Sequence, residues 1–386
     1  MSLSKYIYYS TIVSIFTESF RYYIGFDFKL FYVIIFINFF ILALQKKIYY
    51  SSALLKFYLF ILTTGFFSIL FGYNKLGYFL GQIFFIFFIT IYFYSFFLFY
   101  KNFFYKIVKT YCNFSILLAV IGFIKFPFDI SNGFLLHSIM LEPAHYCTII
   151  LPACLITISS KDYPKYYSLI LILSILLSGS SLGIIGLGVV ILFLQKTFSF
   201  TKILYVFTLV IILGSATYTF YENFRIRVDD SINVVQTSNL NNANLSTYAL
   251  MSNFIVSIQS FKSNPILGNG IGSHSISRKK YLNEIEGFES FEQLGFDHLN
   301  SIDAGSLFSR VMSELGLLGL IGIFYFIYFN YVGSKLSISN MFISRAILIY
   351  FFAKLLREGH YFSPEMYFFV FMFVFNYKKV SDQITS

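Results

Sequence analysis

The chain is short of charge, cysteine and proline, and it has no tryptophan. Its 386 residues include 28 Lys and Arg, 18 Asp and Glu, three cysteines and six prolines, so that only 12% are charged. A soluble domain needs about a quarter of its residues charged to cover its surface, so this shortage excludes an ordinary water-soluble protein. Cys112, Cys147 and Cys154 lie inside apolar runs with no C-x-x-C and no Cys/His cluster. They read as buried, inert thiols rather than a disulfide framework or a thiolate metal site. A G-x-G-x-x-G turn following a strand is missing, which removes the dinucleotide fingerprint. No internal repeat divides the chain into halves, as many transporters would require. The first apolar stretch, residues 1–16, is followed by no small-residue cleavage site and reads as a retained first helix.

What is present is apolar. Hydrophobic residues make up 57% of the chain, with 53 Phe and 32 Tyr. Recurrent apolar runs of about 18 or more residues predict a polytopic, all-α integral membrane protein. Twelve candidate spans lie near 6–23, 28–45, 52–72, 78–100, 104–124, 142–159, 166–179, 181–195, 203–220, 306–330, 340–356 and 361–377. They form one transmembrane domain, residues 1–386, interrupted by a polar excursion at 221–304. The seventh and eighth spans are short for a hydrocarbon core of about 30 Å, so the Ser178-Gly-Ser-Ser-Leu-Gly183 junction reads as a re-entrant bend.

The net charge of +10 would suggest nucleic acid in a soluble domain, but here it marks membrane orientation. With the N-terminus inside, the inner connections collect Lys5, Lys46, Lys47, Lys56, Lys101, Lys106, Lys109, Lys161, Lys165, Lys196, Lys202, Lys335, Lys378 and Lys379. The short outer connections hold chiefly Arg21, Lys29, Lys75 and Lys125. That bias predicts cytoplasmic termini and an external 221–304 loop, with His137, His145, His274, His298 and His360 all at the outer face.

A loop of this length among short connections is unusual enough to read as functional, and it is expected to contain short helices. Within it, Leu250, Phe254, Ile258 and Phe261 recur at helical spacing, and Ser263-Asn-Pro265 stops the pattern. This predicts an amphipathic helix lying on the membrane face or covering a cavity. The mixed charges of 278–297 predict a mobile flap. Gly268, Gly270 and Gly272 are compatible with a plain turn or with an anion-binding run of N–H groups.

Four places could carry chemistry. Arg310 and Glu314 share a helix face with Ser306, either snorkelling to the interface or facing the loop beside Asp303 and His298. Glu142-Pro143 opens a span, as a helix cap or as a general base, with His145 one turn on. Lys354, Arg357, Glu358, His360 and Glu365 crowd the last hairpin, where intramembrane basic residues are functional candidates. Arg225 and Arg227 begin the loop. Cations from separated stretches on one face suit a diphosphate, which Arg binds as a fork.

These residues carry a resemblance. The chain resembles the bacterial O-antigen polymerases (Wzy type) of the O-antigen polymerase and ligase superfamily. The matching pieces are Leu141-Glu142-Pro143-Ala-His145, the 178–183 bend, Arg225, Asn264-Pro-Ile-Leu-Gly268-Asn-Gly270-Ile-Gly272 and Glu314-Leu-Gly316-Leu-Leu-Gly319. Where the ligase branch has a His-Asn pair, this chain has Gly305-Ser306, with His298 further upstream. That departure favours polymerase over ligase; a lipid-linked oligosaccharide flippase is the other alternative. The resemblance implies a metal-independent, cofactor-free inverting glycosyltransferase in the bacterial inner membrane. It would move a growing glycan from one undecaprenyl diphosphate carrier to another lipid-linked repeat unit on the outer face. It also implies membrane lipid and a chain-length regulator as partners, and no nucleic acid. Arg225, Arg310 and Arg357 would bind diphosphate, supported by Lys354 and Arg227, with His145, His360 and Gly270 also at the substrate. Glu142 would be the base, with His298 or Asp303 next in order.

Overall fold

The computed structural model describes residues 2–23, 27–128, 135–196, 204, 208, 211–212, 214–215, 218–219, 222–237, 239–241, 243–363 and 365–385. Among them the chain is helical apart from one hairpin, β1 (Arg21–Tyr23) paired antiparallel with β2 (Asp27–Lys29). Before the polar excursion come α1 (Leu3–Ser14), α2 (Leu30–Leu44), α3 (Ser52–Leu70), α4 (Leu76–Phe99), α5 (Phe104–Lys125), α6 (Pro143–Ser159), α7 (Lys165–Leu177) and α8 (Ser181–Phe193). Within it lie α9 (Glu222–Thr237), α10 (Leu245–Ser263), α11 (His274–Tyr281) and α12 (Phe288–Gln293). The chain then continues through α13 (Leu307–Asn330), α14 (Ile338–Leu356) and α15 (Met366–Thr385).

Among the described residues, five helical stretches are long and apolar enough to cross a membrane: Ser52–Leu70, Leu76–Phe99, Lys101–Phe128, Leu307–Asn330 and Ile338–Leu356. Shorter apolar helices lie at Leu30–Leu44, Pro143–Ser159, Lys165–Leu177 and Ser181–Phe193. The architecture is that of an all-α membrane protein. α7 and α8 have 13 residues each, about 20 Å at 1.5 Å per residue, and the Gly179 turn between them has φ +60°. The expected span at 203–220 falls largely outside the described residues.

α6 sits at the centre, buried along nearly its whole length and packed against α14, α7 and α8. α15 closes the group against α14 and α4. Aromatic rings fill the space, with Tyr350 stacked on Phe369 and Phe97 on Phe375. The three cysteines are buried and free, and the Cys147 Sγ lies 3.1 Å from Ser178 Oγ.

α13 is broken. Gly316 has φ 58° and ψ −151°, a conformation open essentially to glycine alone. The break frees backbone groups on both sides, which must find partners in an apolar setting. The 264–272 loop supplies them. Asn269 and Gly270 donate their N–H groups to the Ser313 and Glu314 carbonyls at 2.9 and 2.7 Å. Leu317 and Leu318 donate to the Pro265 and Ile266 carbonyls at 2.8 and 3.1 Å. From the other side, Ser68 Oγ donates to the Asn269 carbonyl and Asn74 Nδ2 to the Ile271 carbonyl at 2.8 Å. The two glycine motifs of the sequence therefore form one clasp.

The excursion holds short helices, as expected, and they pack into a folded cap. Val234, Leu240, Tyr248, Val256, Leu282, Ile285, Phe288 and Phe291 make a second small core. The predicted helix is present as α10, capped by Asn244, whose side chain accepts from Thr247 N. Its more polar face is the buried one: Thr247, Tyr248, Ser252, Asn253, Val256, Ser257 and Ser260 point inward, while Leu250, Phe254, Ile258 and Phe261 are half-buried. The polar face is needed inside because Arg278 is buried against it. Arg278 donates to Ser252 Oγ, Asn253 Oδ1 and the Asp297 carbonyl at 2.9–3.0 Å. The 278–297 stretch, expected as a mobile flap, is thus folded into α11 and α12 and held by a buried guanidinium.

Candidate functional site

Polar groups converge where the connection between α14 and α15, residues 357–365, passes the start of α13 and the start of α6. Glu358 sits in this connection at φ 77°, unusual for a non-glycine residue, and its N–H donates to the Gly305 carbonyl at 2.8 Å. A Cβ on Gly359 would meet the Asp303 carbonyl oxygen at 1.6 Å, so a glycine is required at this approach.

Arg310, on the first turn of α13, is buried in the middle of the cluster. Its Nε donates to Glu314 Oε1 at 3.3 Å, Nη1 to the Gly359 carbonyl at 3.0 Å and Nη2 to Gln82 Oε1 at 3.1 Å. The guanidinium carbon lies 3.9 Å from the Tyr361 ring centre, which adds a cation–π contact. Glu314 is fully buried, and its Oε2 has no hydrogen-bond partner among the described residues.

Lys354, in the last turn of α14, is the second buried cation. Its Nζ lies 2.6 Å from Glu358 Oε1 and 3.6 Å from Glu365 Oε1, which also accepts from Tyr350 Oη at 3.2 Å. Arg357 is the third cation, and its guanidinium lies 3.8 Å from Glu142 Oε2. At the N-terminus of α6, His145 Nδ1 lies 2.7 Å from Glu18 Oε1. Glu18, His145 and Glu358 offer donor atoms within 4.8 Å of one another, a spacing a divalent cation can span. Lys354 delivers positive charge to the same carboxylates.

Environment sets the protonation of the groups outside the long apolar helices. Burial pushes the His360 imidazole well below its usual range, helped by Lys29, Arg310 and Lys354. His360 Nδ1 accepts from Phe362 N–H at 3.2 Å. Burial raises the Asp303 carboxyl, opposed by the Gly305 N–H 3.1 Å from Oδ1 and by Arg310. In the cap, His274 is pushed down to about 3 by burial and by Arg310 and Arg278. His274 Nδ1 and Nε2 lie 3.1 Å from Ser313 Oγ and Asn253 Oδ1, so the neutral ring ties the clasp to α10.

Of the residues singled out in the sequence, Arg310, Asp303, Lys354, Arg357, Glu142, His145 and His360 gather around this connection. His298 does not share their setting: it is largely exposed, 3.5 Å from Asp297. Arg225 is also exposed, on α9, 3.8 Å from Glu222. The Arg227 side chain lies outside the described part. Gly270 has a structural task, since its N–H is bonded to Glu314 and a Cβ would meet Ser68 Oγ at 2.4 Å. Glu142 occupies the helix-cap position of α6, yet its side chain makes no capping bond there and turns toward Arg357. Glu18, Gln82 and Tyr361 join the site from outside the motifs of the sequence. For Glu18 the available signal was a carboxylate inside the apolar 6–23 run.

No protein-family model and no curated protein sequence matches the chain.

Proposed function

We propose that the protein is an O-antigen or related surface-polysaccharide polymerase. It would transfer glycan between undecaprenyl diphosphate carriers at the outer face of the bacterial inner membrane, with twelve spans and cytoplasmic termini. The observation that supports this reading most is the convergence of Arg310, Lys354 and Arg357 with carboxylates and an imidazole between apolar helices. A lipid-linked diphosphate needs that combination: cations for the headgroup, apolar surroundings for the chain, and one group to take a proton.

Each cation is held by carboxylate: Arg310 by Glu314, Lys354 by Glu358 and Glu365, and Arg357 by Glu142. A diphosphate would compete for the same donors, so binding exchanges one anion for another and keeps the buried charge balanced. Diphosphate is already a good leaving group. The protein's contribution is then to stabilise the charge that develops on it and to position the acceptor hydroxyl against the sugar's anomeric carbon. The folded 222–304 cap covers the start of α13 through α10 and the clasp, which suits restricted water access. In a cell that makes such a glycan, deleting the gene should leave the surface with single repeat units and no ladder of longer chains. A normal ladder after deletion would contradict the proposal.

A further inference from the structure

We propose that His145 and Glu18 form the imidazole–carboxylate pair that removes the proton from the acceptor hydroxyl, an assignment that rests on the transfer reaction proposed above. Glu18 follows α1 and is 3% exposed. His145 comes from the first turn of α6, with its Nδ1 2.7 Å from Glu18 Oε1. The imidazole is the more open partner, its side chain 19% exposed against 5% for Glu18. A buried carboxylate at Nδ1 favours the tautomer with its proton there, leaving Nε2 basic. The contact is short but lies off the Nδ1–H direction. Such pairs straighten when substrate arrives. Glu18 Oε2 has no hydrogen-bond partner among the described residues, so this carboxylate retains capacity to follow a change at the ring.

The other candidates fit the role less well. His145 pairs with a buried carboxylate, whereas His298 sits at exposed Asp297. His360 Nδ1 already accepts from Phe362 N–H, and His274 is closed in by Asn253 and Ser313. His137 Nδ1 lies 2.7 Å from the Met140 carbonyl. The side chain of Glu142 is half in solvent and faces Arg357, and a carboxylate is in general a weaker base than an imidazole. Around His145 stand Glu18, Glu358, Glu142, Lys354, Lys29 and His360. Lys354 is held at Glu358, so the Glu18 carboxylate remains to offset a charge forming on the ring.

In the step itself the acceptor oxygen attacks the anomeric carbon of the donor sugar. The new glycosidic C–O bond forms as the bond to diphosphate oxygen breaks, and that electron pair leaves with the diphosphate. The hydroxyl proton passes to His145 Nε2, and Glu18 offsets the imidazolium. The proton is released to water once product departs. His145 is the catalytic base, and Glu18 is its positioning partner.

The test uses full-length protein in nanodiscs with a polyprenyl-diphosphate-linked oligosaccharide, comparing wild type with His145→Gln, Glu18→Gln, Glu18→Asp and Glu142→Gln. His145→Gln should lower kcat by about 10²–10⁴-fold while KM stays within about threefold. Glu18→Gln should lose about 10–100-fold in kcat, and Glu18→Asp should recover part of it. Loss of KM together with kcat, or loss that tracks the amount of monodisperse protein, would mark a merely structural pair and overturn the assignment. A larger kcat loss in Glu142→Gln than in His145→Gln would return the base to Glu142. Activity abolished by a chelator and restored by a divalent cation would make Glu18, His145 and Glu358 a metal site instead. Failure of the wild type to extend any lipid-linked glycan would overturn the transfer reading and the dyad together; a wild type that extends beside an unimpaired His145→Gln would overturn the dyad alone.

Discussion

Gly268 and Gly316 interlock: a Cβ on Gly268 would meet the carbonyl carbon of Glu314 at 2.5 Å, and one on Gly316 would meet the backbone nitrogen of Gly268 at 2.7 Å. Both have positive φ, and between them the 264–272 loop replaces the hydrogen bonds that the α13 break forfeits. Glu314 and Arg310 are held on the turns just before that break.

The clasp should therefore be intolerant of a single methyl group. Gly268→Ala or Gly316→Ala adds backbone strain of about 1–3 kcal/mol and overpacking of similar size. Both variants should show a clear drop in folded yield and melting temperature by fluorescence-detected gel filtration. Gly295, where an added Cβ would meet nothing within 4 Å, is the comparison site for crowding. Unchanged stability in Gly268→Ala would contradict the interlock.

Acid should loosen the cap through His274. Its folded value, about 3, is below the ordinary 6.5, so the unfolded state binds the extra proton as pH falls. The contribution to stability is complete above about pH 6.5 and shrinks with acidification, by roughly 2 kcal/mol at pH 5. Hydrogen exchange across 245–281 should accelerate between pH 7 and 5, after correction for the intrinsic rate. In His274→Asn that excess should largely vanish. Equal acid sensitivity in both proteins would remove His274 as the cause.

Arg310 should be required for activity in its own chemical form. Arg310→Ala leaves Glu314 buried without its partner, a loss of about 3–5 kcal/mol that threatens folding as well as function. Arg310→Lys keeps the charge but loses the fork and the three-way set of contacts. Chain extension by folded Arg310→Lys should fall at least about tenfold, since one lost charge-assisted contact is worth over 1.4 kcal/mol. Wild-type extension by the lysine variant would exclude a forked contact in the reaction.

The proposed orientation is testable against a quiet background, because Cys112, Cys147 and Cys154 are all buried. Glu289→Cys on the cap and Asp382→Cys near the C-terminal end place single thiols at exposed positions. A membrane-impermeant maleimide should label the first in intact spheroplasts and the second only after lysis. The opposite pattern would invert the topology and place the cluster in the cytoplasm.

Charges inside apolar runs were legible because nothing nearby explains them, which is why Arg310, Glu314 and Lys354 stood out and also prove buried. The amphipathic α10 was legible as a helix but not by face. Its inward side is polar because it meets Arg278, His274 and Asn269 from other stretches, and local periodicity carries no trace of those partners. Arg278 itself sat in a charged run that reads as solvated, and only the surrounding carbonyl and hydroxyl groups make its burial tolerable. Glu18 escaped notice for a related reason. Its partner, His145, lies on a distant helix, and an acid near a span end is ordinary at a membrane interface. The broken α13 was equally hidden, since Glu314-Leu-Gly316 sits in an unbroken apolar run.

Glycan transfer between lipid diphosphates would be read out by product length in a defined system. Purified protein in nanodiscs would be given a single polyprenyl-diphosphate-linked repeat unit, with mass spectrometry following the products. Lipid-linked dimers and longer chains should appear together with free polyprenyl diphosphate, one carrier released for each bond formed. Monomeric lipid-linked units recovered intact, across donors the native cell is known to make, would contradict it.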